Sequence, residues 1–213
     1  MTKRITGIYG ILPADLDDAD LLARAAAALK GGVRTLQFRD KKQGYKRAIK
    51  RARALRGLCH EFEARLIVND SVTLAQDCEA DGVHLGRDDV PNLLQLRSDV
   101  GDELLVGITC RADAAFALSA LRDGADYVSF GAIWATRSKP EVPEIGLARL
   151  QKARAMFADA NICAIGGITR DNVAQVKAAG ADCAAVISGL FGSGNPAQIE
   201  AEAALLTALW DAA

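Results

Sequence analysis

Short apolar runs alternate with longer alanine-rich segments along the whole chain. Eight runs have the length and apolar content of buried strands: Thr6–Leu12, Thr35–Arg39, Leu66–Asn69, Gly82–Leu85, Leu104–Ile108, Tyr127–Phe130, Cys163–Ile165 and Ala184–Ile187. The segments between them carry apolar residues at helical spacing, most clearly in Asp20–Leu29, Tyr45–Phe62, Asp113–Leu121, Leu147–Phe157, Arg170–Ala178 and Pro196–Trp210. This alternation predicts a parallel sheet covered by helices.

The spacing of the strands favours a closed barrel over an open sheet. A mean of roughly 25 residues per strand fits a right-handed βαβ series that closes on itself. An open doubly wound sheet would carry a glycine-rich turn after its first strand, but here that turn reads Leu12-Pro13-Ala14-Asp15. No linker or shift in composition divides the chain. We therefore predict an α/β fold, a single (β/α)8 TIM barrel over residues 1–213, as one catalytic domain.

Three near-repeats punctuate this series. They read CEADGV from Cys78, DGADYV from Asp123 and AGADCA from Ala179. Each predicts the end of a helix, a small or acidic turn and the start of the next strand.

Composition and charge exclude several classes of partner. The formal net charge is -1 and no basic block is present, which argues against nucleic acid or an anionic membrane as a ligand. No run has the length of a signal sequence or a membrane span. Five scattered cysteines argue against a disulfide framework and a metal cluster. We expect a cytoplasmic protein with small-molecule substrates, and the sequence leaves its oligomeric state open, a homo-oligomer included.

Polar residues follow the predicted strands at the end where a barrel places its active site. These residues are Gln37 to Lys41, Asn69-Asp70, His84 to Asp89, Thr136 to Lys139, Gly166 to Ile168 and Ser188-Gly189. Gln37 and Arg39 share one face of their strand, so both should point into the barrel while Phe38 faces the helices. Arg39 and Lys41 together could grip a polyphosphate. The alternative is an inter-strand ion pair of Arg39 and a solvated Lys41.

Two carboxylates follow neighbouring strands and could converge above the barrel. Asp70 and Asp89, beside the Arg39 and Lys41 pair, suit Mg²⁺, which takes one or two protein carboxylates and leaves its other positions to water and phosphates. Alternatively, Asp70 caps a helix that begins at Ser71 and Asp89 caps one after Pro91. Asp88 is a substitute ligand that spacing alone does not exclude.

Glycines after the seventh strand predict a second anion site. Gly166 and Gly167 would let the backbone approach phosphate oxygens, and Ser188 follows the adjacent strand, although a glycine pair can also be a simple turn. The barrel is thus predicted to hold a metal-assisted diphosphate site on strands two to four and a monophosphate site on strands seven and eight. His84 is interpreted as a core histidine with satisfied hydrogen bonds, so imidazole chemistry is not expected.

Six motifs in the family's order resemble the thiamine phosphate synthase family, and the resemblance extends over nearly the whole chain, about Ile8 to Gly189. They are Gln37-x-Arg39-x-Lys41, Asn69-Asp70, the run from His84 to Asp89, Thr136-x-Ser138, Lys139, and Ala164 to Ile168. The family is a group of barrels that condense hydroxymethylpyrimidine diphosphate with a thiazole phosphate, in bacteria often carboxylated, and release pyrophosphate. The resemblance therefore implies a transferase that forms a C–N bond by a dissociative substitution.

The resemblance also implies a role for each site residue. The pyrimidine diphosphate would contact Gln37, Arg39, Lys41, Asn69, Thr109 and Lys139, of which Arg39, Lys41 and Lys139 would be catalytic. The thiazole phosphate would contact Thr136, Ser138, Gly166, Gly167, Ile187 and Ser188. One Mg²⁺ per subunit would be bound by Asp70 and Asp89.

The chain departs from the family pattern at four places, and three other functions compete with the synthase. The departures are Pro13 after the first strand, Thr109 in place of Ser, Ser138 in place of Thr and Arg87 in place of Gln. A thiazole tautomerase has no diphosphate to activate and no need of Asp70, Asp89 and Lys41 together. A phosphosugar isomerase or epimerase would need an acid–base pair that we do not find. A non-catalytic sensor of thiazole phosphate would not need an intact metal site.

Overall fold

Eight parallel strands close into a barrel in chain order in the computed structural model, which describes residues 3–40, 44–89, 92–136 and 141–213. The strands are β1 Gly7–Ile11, β2 Thr35–Phe38, β3 Arg65–Asn69, β4 Gly82–Leu85, β5 Leu105–Arg111, β6 Tyr127–Gly131, β7 Ile162–Ile165 and β8 Cys183–Val186. β8 pairs with β1 and completes the ring. The predicted TIM barrel and all eight predicted strands are confirmed.

Helices follow the strands and cover the outside of the barrel. They are α1 Asp18–Lys30, α2 Tyr45–Glu61, α3 Val72–Asp77, α4 Leu93–Val100, α5 Ala114–Arg122, α6 Gly146–Met156, α7 Val173–Ala178, α8 Ser188–Phe191 and α9 Pro196–Ala212. A 3-10 turn spans Arg87–Asp89. All six predicted helices are present. α3 and α4 begin near the two helix starts named in the capping alternative, at Ser71 and after Pro91. The four residues of α8 were not predicted as a helix, because a single turn gives no periodicity. None of the described helices has both the length and the apolar content needed to cross a membrane.

Alternation along the strands separates two apolar layers. One fills the barrel itself with side chains such as Tyr9, Ile67 and Tyr127, and the other packs the outer strand faces against the helices. Neighbouring residues of β2 point to opposite faces. Phe38 points outward to the helices, as the sequence predicts, and its ring lies under the guanidinium of Arg51 on α2. Gln37 points inward, where it reaches the hydroxyl of Tyr9. The side chains inside the barrel therefore form the floor of any site at its upper end.

The three near-repeats become three matching clamps at the lower end of the barrel. In each, the aspartate carboxylate accepts the backbone N–H of the preceding strand at 2.7–2.8 Å; the pairs are Asp81 with Leu66, Asp126 with Val106 and Asp182 with Ile162. Each aspartate also meets an arginine, and these pairs are Arg56–Asp81, Arg97–Asp126 and Arg154–Asp182. Such contacts at the lower end of a TIM barrel serve stability, which leaves the upper end for chemistry.

Candidate active site

A cleft of about 1090 Å³, measured to its open mouth, lies at the carboxyl ends of the strands. Nine residues predicted for the site line it: Gln37, Arg39, Asn69, Thr109, Thr136, Gly166, Gly167, Ile187 and Ser188. Three others, Lys41, Ser138 and Lys139, lie outside the described residues. The fold thus brings together residues from six strands or their loops that are far apart in the sequence.

The described lining of the cleft carries positive charge without a balancing carboxylate. Its charged side chains are Arg39 after β2 and Arg111 at the end of β5, and no aspartate or glutamate is among the described lining residues. The expected alternative, an ion pair of Arg39, is not formed within the described residues. The neighbouring carboxylate of Asp40 instead pairs with Arg51 at 2.6 Å, and both side chains are almost fully buried. An uncompensated, half-buried guanidinium favours an anionic ligand.

Neither Asp70 nor Asp89 caps a helix, so the capping alternative is wrong. Ser71 caps α3 through its hydroxyl, and Asn92 caps α4 through its amide oxygen. Asp70 has a left-handed backbone, with φ of 63°, and its N–H donates to the carbonyl of His84 at 2.9 Å. Left-handed backbone at a residue other than glycine is uncommon and often marks a functional position.

Asp70 and Asp89 follow neighbouring strands, and neither is among the described residues that line the cleft. Asp70 follows β3 directly, and Asp89 ends the 3-10 turn after β4, where its Oδ2 accepts the N–H of Gly86 at 2.8 Å. Among the described residues no group of three or more metal-binding side chains occurs. Two carboxylates at neighbouring strand ends nevertheless fit Mg²⁺, because that ion keeps several waters and shares its other positions with substrate phosphates.

Arg87, one of the departures from the family pattern, directs its charge elsewhere. Its guanidinium pairs with Asp113, the cap of α5, at 2.5 Å. It also lies 4.1 Å above the ring of Phe116. The side chain of Arg87 is therefore held against the start of α5.

Glycines shape the opposite side of the cleft. Gly166 and Gly167 both have positive φ, of 104° and 65°, and a Cβ on either would lie within 2.7 Å of a side-chain or backbone carbon of the loop after β6. Asn172 holds this turn in place, because its amide donates to the carbonyl of Gly167 at 3.0 Å and accepts the N–H of Thr169 at 2.9 Å. Only glycine permits such an approach, and it leaves backbone surface open to a ligand.

A chain of hydrogen bonds runs through the barrel under the cleft. The amide nitrogen of Gln37 donates to the hydroxyl of Tyr9 at 2.8 Å, and that hydroxyl lies 3.1 Å from the hydroxyl of Tyr127. Nδ1 of His84 is 2.9 Å from the Tyr127 hydroxyl, and Nε2 is 2.8 Å from Oγ1 of Thr109. His84 is buried with both ring nitrogens bonded, so its interpretation as a satisfied core histidine is confirmed. It also lines the cleft.

Sequence reasoning missed three residues of this site. Tyr9 and Tyr127 lie within apolar runs, where a tyrosine counts simply as core, and their partners come from distant strands. Arg111 lies beyond the predicted end of the fifth strand at Ile108, whereas β5 continues to Arg111 through an irregularity in register. The backbone of Arg111 is left-handed, with φ of 54°. Such an irregularity changes the direction of a side chain. The sequence signal that could have identified Arg111 was a charged residue directly after a predicted strand.

Comparisons with known proteins agree with this geometry. The sequence profile of the thiamine monophosphate synthase family matches residues 8–190. The chain is 46% identical over 210 residues to a protein of Thioalkalivibrio sulfidiphilus named thiamine-phosphate synthase, covering 98% of this chain and 97% of that protein. It is 44% identical over 197 residues to a protein of the same name from Chromobacterium violaceum, covering 92% and 94%. The solved structure of a thiamine phosphate pyrophosphorylase from Pyrococcus furiosus superposes with a TM-score of 0.85 at 27% identity, covering 99% and 98% of the two chains.

Proposed function

The chain belongs to the thiamine monophosphate synthase family, its function is thiamine-phosphate synthesis, and we propose that it joins hydroxymethylpyrimidine diphosphate to a thiazole phosphate. The enzyme is a transferase that forms a C–N bond and releases pyrophosphate. The observation that carries this conclusion is a cleft with guanidinium groups at one side and a glycine turn at the other, with no carboxylate in its described lining. Such a cleft suits two anionic substrates held side by side.

The reaction breaks the bond between the pyrimidinylmethyl carbon and a diphosphate oxygen, and the electron pair leaves with pyrophosphate. The electron-rich pyrimidine stabilises the resulting cation, and the lone pair of the thiazole nitrogen then forms the new C–N bond. The chemistry therefore needs charge neutralisation at the leaving group more than a base. Arg39 supplies a fixed positive charge beside the diphosphate, with Asn69 next to it, and Lys41 and Lys139 are predicted to add to that charge.

Asp70 and Asp89 would hold one Mg²⁺ per subunit. The bound ion would neutralise charge on the leaving pyrophosphate. The support for this role is the donor set: two carboxylates on adjacent strand ends, neither of them used as a helix cap. We propose Asp89 rather than Asp88 as the second ligand of the ion.

The thiazole phosphate would lie against the glycine turn. Its proposed contacts are Thr136, Ser138, Gly166, Gly167, Ile187 and Ser188. The close approach of the Gly166-Gly167 backbone to the loop after β6 supports this placement, because a side chain at either position would displace that loop and the turn packed against it, whereas glycine keeps the backbone N–H groups of the turn close enough for an anion. Binding there would hold the thiazole nitrogen in line with the reacting carbon.

Two further predictions belong to this proposal. We propose that residues 1–213 work as one catalytic domain in the cytoplasm. We propose small-molecule substrates rather than nucleic acid or membrane as the ligands. The oligomeric state stays open, a homo-oligomer included.

Turnover with and without metal tests the function. Purified protein is mixed with the pyrimidine diphosphate, the thiazole phosphate and Mg²⁺, and thiamine phosphate is followed by its fluorescent oxidation product. We expect product that disappears with EDTA and returns with excess Mg²⁺. Absence of product from protein that still binds the thiazole phosphate would contradict the proposal and favour the tautomerase or the sensor.

A further inference from the structure

The hydrogen-bond chain under the cleft joins two substrate-facing groups. It runs in the order Gln37, Tyr9, Tyr127, His84, Thr109 and crosses strands β2, β1, β6, β4 and β5. The two ends, Gln37 and Thr109, line the cleft, whereas Tyr127 does not line it and has 0% of its surface exposed. Tyr127 therefore connects the two sides of the site without access to a ligand of its own.

The number of protons in this chain restricts the directions of its bonds. Each phenol has one O–H, and each phenol oxygen has two neighbours in the chain. Tyr9 accepts from Gln37, and its buried O–H would be costly without an acceptor, so its own proton goes to Tyr127, the other neighbour of Tyr9 in the chain. Tyr127 must then donate to Nδ1 of His84, which leaves the proton of the neutral imidazole on Nε2 and directed at Thr109. Thr109 accepts that bond, and its hydroxyl proton points to the cleft.

The reverse direction requires a change at both ends together. If Tyr127 donates to Tyr9, then Tyr9 must donate to Gln37, which has to turn its carbonyl oxygen inward. His84 would then carry its proton on Nδ1, and Thr109 would donate to Nε2 and offer only lone pairs to the cleft. Burial raises the pKa of Tyr9 and of Tyr127 far above the ordinary value of 10.0, so both remain neutral O–H groups.

The two directions present opposite patterns to a ligand. In the direction that follows from Gln37 donating to Tyr9, Gln37 offers its carbonyl oxygen as an acceptor, and Thr109 offers a donor. An aminopyrimidine has an exocyclic amino group that donates and ring nitrogens that accept, so it matches this direction. An oxopyrimidine has an accepting oxygen and a ring N–H in place of these, so it matches the reverse direction.

We propose that Tyr127 and Tyr9 are positioning residues that couple the amide of Gln37 to the hydroxyl of Thr109 and thereby make the cleft specific for an aminopyrimidine. This inference rests on the proposed function for the identity of the ligand and goes beyond it in assigning two buried tyrosines a role in specificity. Neither tyrosine needs to touch the reacting atoms. The chain holds both ends in one pattern before the substrate binds.

The test compares Tyr127→Phe with the unchanged protein by calorimetry. The probes are the 4-amino and 4-oxo forms of the pyrimidinylmethyl monophosphate, which lack the diphosphate leaving group, and the thiazole phosphate. We expect the unchanged protein to favour the amino form by at least about tenfold, since a site with polar groups built for one pattern rejects the other. Tyr127→Phe should reduce this preference to within about threefold, with thiazole phosphate affinity changed less than about twofold.

Two further variants complete the test. Tyr45→Phe is the matched control, because the Tyr45 hydroxyl is on the outside of the barrel and bonds Asp77; it should keep the full preference. Tyr9→Phe should behave like Tyr127→Phe and carries the test if Tyr127→Phe does not fold. A preference that survives both changes would overturn the inference. An equal loss of affinity for all three probes would also overturn it, since that indicates a structural role alone. Binding is measured without turnover, so failure of the proposed function would appear separately as absence of product.

Discussion

Arg154 and Asp182 form the centre of a clamp at the lower end of the barrel, with Nη2 of the arginine 2.5 Å from Oδ2 of the aspartate. The same carboxylate oxygen accepts the N–H of Ile162 at 2.8 Å, and the other oxygen accepts a bond from Arg4 at 2.9 Å. Arg154 also donates to the carbonyl of Gly180 at 2.7 Å. The clamp thus joins helix α6, strand β7 and the turn before β8.

We predict that Asp182→Asn lowers the free energy of unfolding by about 1–2 kcal/mol at neutral pH, because it removes two charge-assisted hydrogen bonds from a partly buried site. Urea unfolding measures the change. Asp20→Asn is the control, since it changes only the exposed partner of an i,i+4 pair with Arg24 on α1 and should cost at most about 0.5 kcal/mol. Turnover below the unfolding transition should be unchanged in both variants.

This loss should depend on pH in a defined direction. Burial alone would raise the pKa of Asp182, but the N–H of Ile162 and the guanidinium groups of Arg4 and Arg154 hold it below the ordinary value of 3.8. A carboxyl with a lowered pKa stabilises the fold fully above its unfolded pKa and loses that effect as the pH falls through its folded pKa. The difference between wild type and Asp182→Asn should therefore shrink below about pH 4. An equal difference at pH 7 and pH 3 would contradict the assignment.

Arg39 should be sensitive even to a change that keeps its charge. Arg39→Lys replaces a planar fork by a point charge, so we predict that kcat/KM for the pyrimidine diphosphate falls about 10- to 100-fold. The KM for the thiazole phosphate should change little. Arg122→Lys, which alters an exposed arginine paired with Asp123, provides the control and should have no effect. Activity of Arg39→Lys within twofold of wild type would mean that the leaving group is held elsewhere.

The barrel could be predicted from the sequence because its signals are local. Parallel strands buried on both faces read as short apolar runs, and long helices show several turns of amphipathic spacing. Helix α8 has four residues and offers no such period. The end of β5 at Arg111 was also missed, because the residues after Ile108 are polar and lack a strand pattern.

The partners of polar residues could not be predicted, because they depend on contacts between distant segments. Asp40 pairs with Arg51 on the following helix, which is why Arg39 beside it has no such partner within the described residues. Capping by Asp70 was the alternative that spacing left open, but the hydroxyl of Ser71 takes that role one residue later. Tyr9 and Tyr127 are separated by 118 residues in the chain, and their bond exists only once the barrel closes.

The proposed metal site can be tested at Asp70 without disturbing its backbone. Asparagine tolerates left-handed φ better than most residues, so Asp70→Asn should fold normally. We predict that turnover falls at least about 100-fold while thiazole phosphate binding stays within about twofold, because only the leaving group depends on the ion. Asp102→Asn, at an exposed position before β5, is the control.

The choice between the neighbouring carboxylates follows from the same assay. Asp89→Asn should reproduce the loss seen in Asp70→Asn, and its activity should recover in part at high Mg²⁺. If Asp88→Asn loses activity instead, Asp88 is the second ligand. Full activity of Asp70→Asn would contradict the metal assignment altogether.

Gly167 offers a test of the thiazole phosphate end, because a remote glycine, Gly101, has nearly the same positive φ. A Cβ on Gly167 would lie 2.7 Å from Cβ of Trp134 and 2.9 Å from the carbonyl oxygen of Ala135, at a φ of 65°. Gly101, at the end of α4, has a φ of 68°, and nothing lies within 4 Å of the position that a Cβ would take there. Both alanine variants therefore carry the strain of positive φ, and only Gly167→Ala must also displace the loop after β6.

We predict that Gly167→Ala raises the KM for thiazole phosphate at least about tenfold and leaves the KM for the pyrimidine diphosphate within about twofold, since the displaced turn is on the thiazole side of the cleft. Gly101→Ala should lose stability through the strain of its positive φ alone, with both KM values intact. Steady-state kinetics with each substrate varied in turn gives the two constants. Equal increases in both KM values would mean that the turn supports the whole cleft. No increase in either KM would show that the glycine turn is not part of the phosphate site.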